Sequence, residues 1–158
     1  MLVQLSVTLA QSDKKPLLRF LLQEYLAELS QFGEVDQHYP YFDSYWDDSQ
    51  RWPYLIEIND QLAGFALVNS WSPSGQGTDF AIAEFYILPR FRKSGIGSRA
   101  FAALLGNHPG IWELSVMSCN EAAAIFWRHA LNAADVVNVE RVRLNDETVY
   151  RFETSGRP

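Results

Sequence analysis

Apolar and polar residues alternate from Leu2 to Thr8, the period of a strand with one buried face. Ser12 and Asp13 then offer helix caps, and Pro16 is tolerated in a first helical turn. Leu17, Leu18, Phe20, Leu21, Leu22, Tyr25, Leu26 and Leu29 follow at helical spacing, and Gly33 ends the helix or its fray. Tyr41 to Trp46 predicts a short second helix. Pro53 to Ile58 and Leu62 to Asn69 read as strands joined by a tight Asn59-Asp60 turn, and Ser72 to Thr78 is a loop rich in Ser, Gly and Pro. Asp79 to Leu88 reads as a long, largely buried strand, and Ser98 to Leu105 as a helix stopped by Gly106. Ile111 to Met117 is a strand. Asn120 caps a helix reaching about Leu131. Asp135 to Val142 and Thr148 to Phe152 form a last hairpin across Asn145-Asp146, and Thr154 to Pro158 reads as a frayed tail. No repeat, low-complexity tract or linker interrupts the chain, so one domain is expected over residues 1–158. The order is β-α-α-β-β-β-α-β-α-β-β, an α/β chain.

Composition narrows the chemistry. The chain has 158 residues, 47% hydrophobic and 20% charged, which suits one folded core. Cys119 is the single cysteine, so an internal disulfide framework and a cysteine-rich zinc site are excluded. His38, His108 and His129 show neither ligand spacing nor a nucleophile partner, and no metal is expected. No apolar run approaches the roughly 18 residues of a membrane span, and no basic leader opens the chain. No membrane is therefore expected as a partner, and the cytoplasm is the expected location.

Net charge is −6, which disfavours broad nucleic-acid binding. The charge is unevenly spread. Glu34, Asp36, Asp43, Asp47 and Asp48 crowd one early segment, while Arg90, Arg92 and Lys93 crowd another. An acidic body with a local basic spot suits an anionic cofactor and a cationic second substrate.

The basic spot lies in Ile87-Leu88-Pro89-Arg90-Phe91-Arg92-Lys93-Ser94-Gly95-Ile96-Gly97-Ser98. An apolar strand ends at a proline, a basic turn follows, then Gly-x-Gly opens a helix. Such a turn presents several backbone N–H groups to one anion, and the helix N-terminus adds partial positive charge. The physical reading is a pyrophosphate cradle. A third glycine of a dinucleotide fingerprint is absent, since Arg99-Ala100 stand in its place, and a Walker A loop is absent as well.

What remains, Arg92-x-x-Gly95-x-Gly97 directly after a strand, resembles the pyrophosphate motif of the GNAT superfamily of acyl-CoA N-acyltransferases. The resemblance spans nearly the whole chain through the order of its elements, and it implies a central mixed sheet of about seven strands with four helices. It also implies acetyl-CoA as cofactor. Lys93, Ser94, Ile96 and Ser98 would join Arg92, Gly95 and Gly97 at the diphosphate. Main-chain groups of Phe85, Tyr86, Ile87 and Leu88 would meet the pantetheine, on a strand splayed from its neighbour by a bulge.

A second signature of that family, Asn-x-x-Ala-x-x-Phe-Tyr, is met by Asn120, Ala123 and Phe126. In relatives the Asn both caps the helix and meets the pantetheine arm. The family's tyrosine, which can protonate the leaving thiolate, is Trp127 here. An indole N–H does not titrate usefully. Tyr86, Tyr150 or water would then serve, or the chain would bind the cofactor without brisk catalysis. Cys119 beside Asn120 makes an acyl-cysteine route conceivable, although an apolar thiol usually just packs.

Glu84 sits inside the apolar strand between Ala83 and Phe85 and is the candidate general base. Burial there would raise its pKa toward a useful range. Alternation alone leaves two directions open: inward, as the base, or outward, as a solvated or arginine-paired carboxylate. The implied reaction is acetyl transfer to a primary amine by direct attack; the alternative is a non-catalytic CoA-binding or sensor module on the same fold. A small interaction domain is a third reading. The acceptor pocket is expected around Tyr41, Tyr45 and Trp46, interleaved with acids, an arrangement suited to a cationic amine of a small molecule, a protein lysine or an N-terminus. Homodimers are common in the family, and this sequence leaves that point open.

Overall fold

The computed structural model describes residues 3–155; Leu2 and residues 156–158, assigned above to the first strand and the tail, lie outside the described residues. The seven strands are β1 (Leu5–Leu9), β2 (Trp52–Ile58), β3 (Gln61–Asn69), β4 (Phe80–Ile87), β5 (Ile111–Met117), β6 (Val136–Leu144) and β7 (Glu147–Thr154). They form one mixed sheet in the order β1-β2-β3-β4-β5-β7-β6, antiparallel throughout except between β4 and β5. The β2–β3 hairpin turns on Asn59 and Asp60, whose φ values of 49° and 66° are those of a type I′ turn.

The helices cover both faces. On one face lies α1 (Lys15–Leu29), which buries Leu18, Leu21, Leu22 and Leu26 against Leu55, Phe65, Leu67 and Tyr86. The short α2 (Ser44–Asp47) adds Tyr45 to the same cluster. On the other face α3 (Ile96–Asn107) and α4 (Glu121–Ala133) bring Phe101, Leu104, Trp127 and Leu131 against Ile82, Trp112, Leu114 and Phe152. Each such side chain contributes about 1.5–3 kcal/mol on burial, so the middle of the sheet is clamped from both sides. His108 packs among Trp52, Tyr54, Phe80 and Trp112, with its Nε2 2.7 Å from the Tyr54 hydroxyl, and burial pushes its pKa down.

Several ends differ from the pattern-based expectation. Ser12 and Asp13 make no capping bond; a 3-10 turn over Ser12–Lys14 leads into α1 instead. Gly106 lies inside α3 rather than stopping it; the helix runs on to Asn107, and Pro109 forbids further continuation. Asn132 stays helical, with α4 ending at Ala133. Thr154, expected to begin a tail, is the last residue of β7, pairs with Val136, and accepts a hydrogen bond on Oγ1 from the Gly110 N–H at 2.9 Å.

The centre of the sheet carries the feature that matters most for function. β4 and β5 pair only through Phe80–Trp112, Ala81–Glu113 and Ile82–Leu114, and then diverge. The divergence starts where β4 bulges against β3: Leu67 faces Glu84 while Val68 faces Ile82, leaving Ala83 as the extra residue. The result is a wedge open toward the C-terminal ends of both strands. Gly64 on β3 permits the close approach of β4, since a Cβ there would lie 2.0 Å from the Tyr86 carbonyl oxygen.

The same stretch of sheet holds a buried carboxylate. Glu113 is fully buried and accepts hydrogen bonds from the Ser74 amide (3.0 Å) and from the Ser74 and Ser72 hydroxyls (2.8 and 3.0 Å). Arg151 donates to it as well, and also to the Gly77 carbonyl. This network fastens the loop between β3 and β4 to β5 and β7, where β4 and β5 are still paired. Burial pushes the Glu113 carboxyl up, but these donors outweigh burial and leave it below its ordinary value.

Candidate active site

The turn after β4 has the shape of an anion cradle. A 3-10 turn over Pro89–Phe91 follows the strand, Lys93 adopts φ 64°, and Gly95 adopts φ 81° as the N-cap of α3. This chain of left-handed and helical residues turns successive amides to one side. None of the amides from Lys93 to Ser98 has an acceptor among the described residues; the first α3 amide to be used is that of Arg99, which bonds the Gly95 carbonyl. The Ser94 hydroxyl donates away from the cradle, to the Phe91 carbonyl at 3.0 Å. The space around Gly95 is open.

The opposite wall comes from α4. Asn120 caps it, with Oδ1 accepting from the Ala123 amide at 3.1 Å, as expected from the sequence. Phe126 stacks on Phe85 at 5.7 Å between centroids. It also lies so near Gly97 that a Cβ there would be 2.6 Å from the ring, so Gly97 is the residue that lets α3 and α4 meet. Trp127 is core, edge-on to Phe85, Phe101 and Phe126. Cys119 is tied off, its thiol donating to the Phe32 carbonyl at 3.0 Å.

Two residues expected at the cofactor, Arg92 at the diphosphate and Leu88 at the pantetheine, are engaged by the protein itself. The guanidinium of Arg92 is held by both Glu28 oxygens at 2.8 Å, and its Nε donates to the Ile87 carbonyl at 2.7 Å. Its amide is taken by Pro89. Three of the five Arg92 N–H donors are thus spent on protein partners, and Arg90 and Lys93 are the local cations without an ion pair among the described residues. Leu88 donates its amide to Ala63 at 2.7 Å and accepts from Phe91, so its main chain is spent on the turn.

Glu84 faces the α1 side. The Ala83 bulge makes the difference: Ile82 belongs to the α3–α4 core, while Glu84 and Tyr86 point the other way. The Tyr25 hydroxyl donates to Oε1 at 2.8 Å and the Tyr39 hydroxyl to Oε2 at 2.7 Å. Burial raises the Glu84 pKa above its ordinary value, and the two hydroxyls offset part of that rise. Burial and the adjacent carboxylate push both tyrosines far above their ordinary range, so they remain donors. Tyr39 reaches Glu84 from a left-handed backbone, φ 42°, a conformation that a non-glycine residue holds only when its surroundings fix it.

Glu84 lines an open cavity of about 290 Å³ between α1 and the segment that follows it. Leu26, Leu29, Val35 and Pro40 supply apolar wall; Tyr39, Tyr41 and Asp36 complete it. Of the three expected pocket residues only Tyr41 is there. Tyr45 is buried in the core and accepts from Asn69 at 3.3 Å. Trp46 donates to the Ala10 carbonyl at 2.9 Å and packs edge-on to Phe42, beside the start of α1. Neither Tyr25 nor Tyr39 was expected from the sequence to bond Glu84. The available signal was that Tyr25 is the one hydroxyl-bearing residue on the apolar stripe of α1.

The sequence profile of the acetyltransferase (GNAT) family matches residues 19–132, more than half of the chain. No curated protein matches the chain in sequence. Many solved structures share the fold. An acetyltransferase of the GNAT family from Streptococcus agalactiae superposes with a TM-score of 0.70 at 16% identity, covering 97% of this chain and 96% of that one. RimL, a ribosomal L7/L12 α-N-protein acetyltransferase solved in complex with coenzyme A, gives 0.67 at 17% identity over 97% and 96%. An acetyltransferase from Thermus thermophilus gives 0.68 at 16% over 94% and 96%. The chain is an acyltransferase that belongs to the acetyltransferase (GNAT) family, whose acyl donor is acetyl-CoA.

Proposed function

We propose that this chain transfers an acetyl group from acetyl-CoA to a primary amine by direct attack, with Glu84 as the proton acceptor. The observation that carries the reading is the position of that carboxylate: beside the mouth of the wedge, in the wall of an open cavity, with its proton affinity raised by burial. A base poised above the ordinary carboxylate range is suited to taking a proton near neutral pH.

The residues present fit the cofactor. The amides from Lys93 to Ser98, without an acceptor among the described residues and at the positive end of α3, would bond the diphosphate, with the Lys93 ammonium beside them. Phe85, Tyr86 and Ile87 border the wedge and would lend main-chain groups to the pantetheine, and Asn120, Ala123 and Phe126 would form the facing wall. When bound, acetyl-CoA supplies a thioester carbonyl: as the amine nitrogen forms the C–N bond, the C–S bond breaks. Glu84 takes the proton that the amine gives up. Tyr25 and Tyr39 keep the carboxylate aimed. The departing sulfur takes its proton from water, since Trp127 offers only an indole N–H. The acceptor, a small-molecule amine or a protein lysine or N-terminus, enters through the cavity on the α1 side.

Thermal shift with acetyl-CoA, CoA and ATP tests the cradle; the first two should raise Tm and Gly95→Glu should abolish the rise. Glu84→Gln should lower kcat about 100-fold or more while leaving the CoA response intact. An unchanged rate and pH profile in that variant would remove Glu84 from the reaction.

A further inference from the structure

The cavity beside Glu84 says more about the acceptor than the acid-rich sequence around it. We infer that the acceptor is a primary amine at the end of an uncharged, mainly apolar arm, and that polycations are poor acceptors; this rests on Glu84 being the proton acceptor.

Of the acids that favour a polycation on composition grounds, Asp43, Asp47 and Asp48 lie elsewhere. Asp43 pairs with Lys15 at 2.8 Å at the start of α1. Asp48 pairs with Arg51 at 3.4 Å and also accepts the Gln50 amide. Neither residue, nor Asp47, lines the cavity. The Arg51 guanidinium lies 5.3 Å from the Tyr41 ring centroid. An aromatic face that would receive a substrate cation is thus already covered by a cation of the protein.

The walls themselves favour hydrocarbon. Leu26 and Leu29, one helical turn apart on α1, face Val35 and Pro40, with Tyr39 and Tyr41 between them. A second ammonium placed against Leu26, Leu29, Val35 or Pro40 would lose water without gaining a partner. Asp36 is the only other acid in the wall among the described residues, and its Oδ1 already accepts the His38 amide at 3.0 Å. At about 290 Å³ the cavity is at the small end of ligand sites, too small to enclose a large sugar amine. One ammonium at Glu84 and a short apolar body against Leu26, Leu29, Val35 and Pro40 match the greater part of the wall.

A free alkyl or aralkyl amine and the side chain of a protein lysine share this chemistry, so the test carries both. Thiol release from acetyl-CoA would be followed with ethylamine, propylamine, butylamine, pentylamine and phenethylamine, with spermidine, and with Nα-acetyl-lysine methylamide. Along the alkyl series kcat/KM should rise about fourfold per methylene until the cavity is full. Spermidine should fall roughly tenfold or more below pentylamine. The lysine derivative decides the source: faster than pentylamine points to a protein lysine and slower to a free amine, and either result upholds the apolar arm.

Val35→Asp, a loop substitution that adds a third carboxylate, set among the apolar side chains of the wall, should shift preference toward spermidine. A flat alkyl series, or spermidine leading it, overturns the inference while leaving Glu84 in place, provided Glu84→Gln still abolishes turnover and CoA still raises Tm. Absence of both turnover and any CoA response sinks the reading on which it rests, and the inference with it.

Discussion

Arg92 meets Glu28 through both terminal guanidinium nitrogens at 2.8 Å, across the gap between the cradle turn and α1. The same guanidinium lies 5.4 Å from the Tyr86 ring centroid, and Tyr86 leans on Tyr25 at 5.7 Å. Tyr25 and Glu28 sit one turn apart on α1, so the bond that fixes the turn also fixes the helix bearing a donor to Glu84. Arg92 is a strut between the two halves of the site.

The strut predicts a specific pattern. Both side chains are more than a third exposed, so Arg92→Gln or Glu28→Gln should cost at most about 1 kcal/mol of stability. Each should lower kcat by up to about tenfold through misplacement of the base, with little change in CoA affinity. Isothermal titration of CoA separates this from the alternative. If Arg92 were a phosphate ligand restrained by Glu28, freeing it by Glu28→Gln would tighten CoA binding, and that result would return it to the diphosphate.

The Glu84 pair with Tyr39 sets a pH dependence. A proton acceptor works as the carboxylate, so kcat/KM should rise with pH through the Glu84 pKa, on a limb displaced above the ordinary glutamate range. The Tyr39 hydroxyl stabilises the charged form. Tyr39→Phe should therefore move the limb to higher pH while the high-pH plateau changes little. Tyr25→Phe should move it in the same direction and by less, because its bond offsets burial less than that of Tyr39. A limb that moves to lower pH, or stays put, contradicts the assigned bonds.

Arg151→Met leaves Glu113 charged and buried with only its serine donors. The cost should be about 3 kcal/mol at neutral pH, read as a lower urea midpoint. The sign with pH follows from a carboxyl held below its ordinary value. The wild-type network stabilises the fold above the ordinary carboxylate pKa and loses that contribution as pH falls through the depressed one. The gap between variant and wild type should accordingly narrow on acidification.

Much of this fold was legible because each element carries a local cause. The leucine stripe of α1, the Asn59-Asp60 turn and the Asn120 cap are written in neighbouring residues, and all three form, although Leu17 and Phe20, read as part of the stripe, lie exposed. The Gly95 turn was legible for the same reason: its left-handed backbone demands glycine. The direction of Glu84 was not, because one extra residue at Ala83 reverses the alternation, and a bulge is decided by pairing with a distant strand. The Arg92–Glu28 pair was not legible either, because the two residues lie 64 positions apart. Tyr45 and Trp46 were misplaced because aromatic rings among acids look alike whether they line a cavity or fill a core.

The wedge also has a mechanical consequence. Beyond Ile82 and Leu114 nothing in the backbone ladder of the described residues ties β1–β4 to β5, β7 and β6. That line is where the protein would part first under strain or exchange amide hydrogens soonest. A molecule lying along it takes the role of an absent eighth strand, so substrate occupancy and the rigidity of the whole sheet rise together.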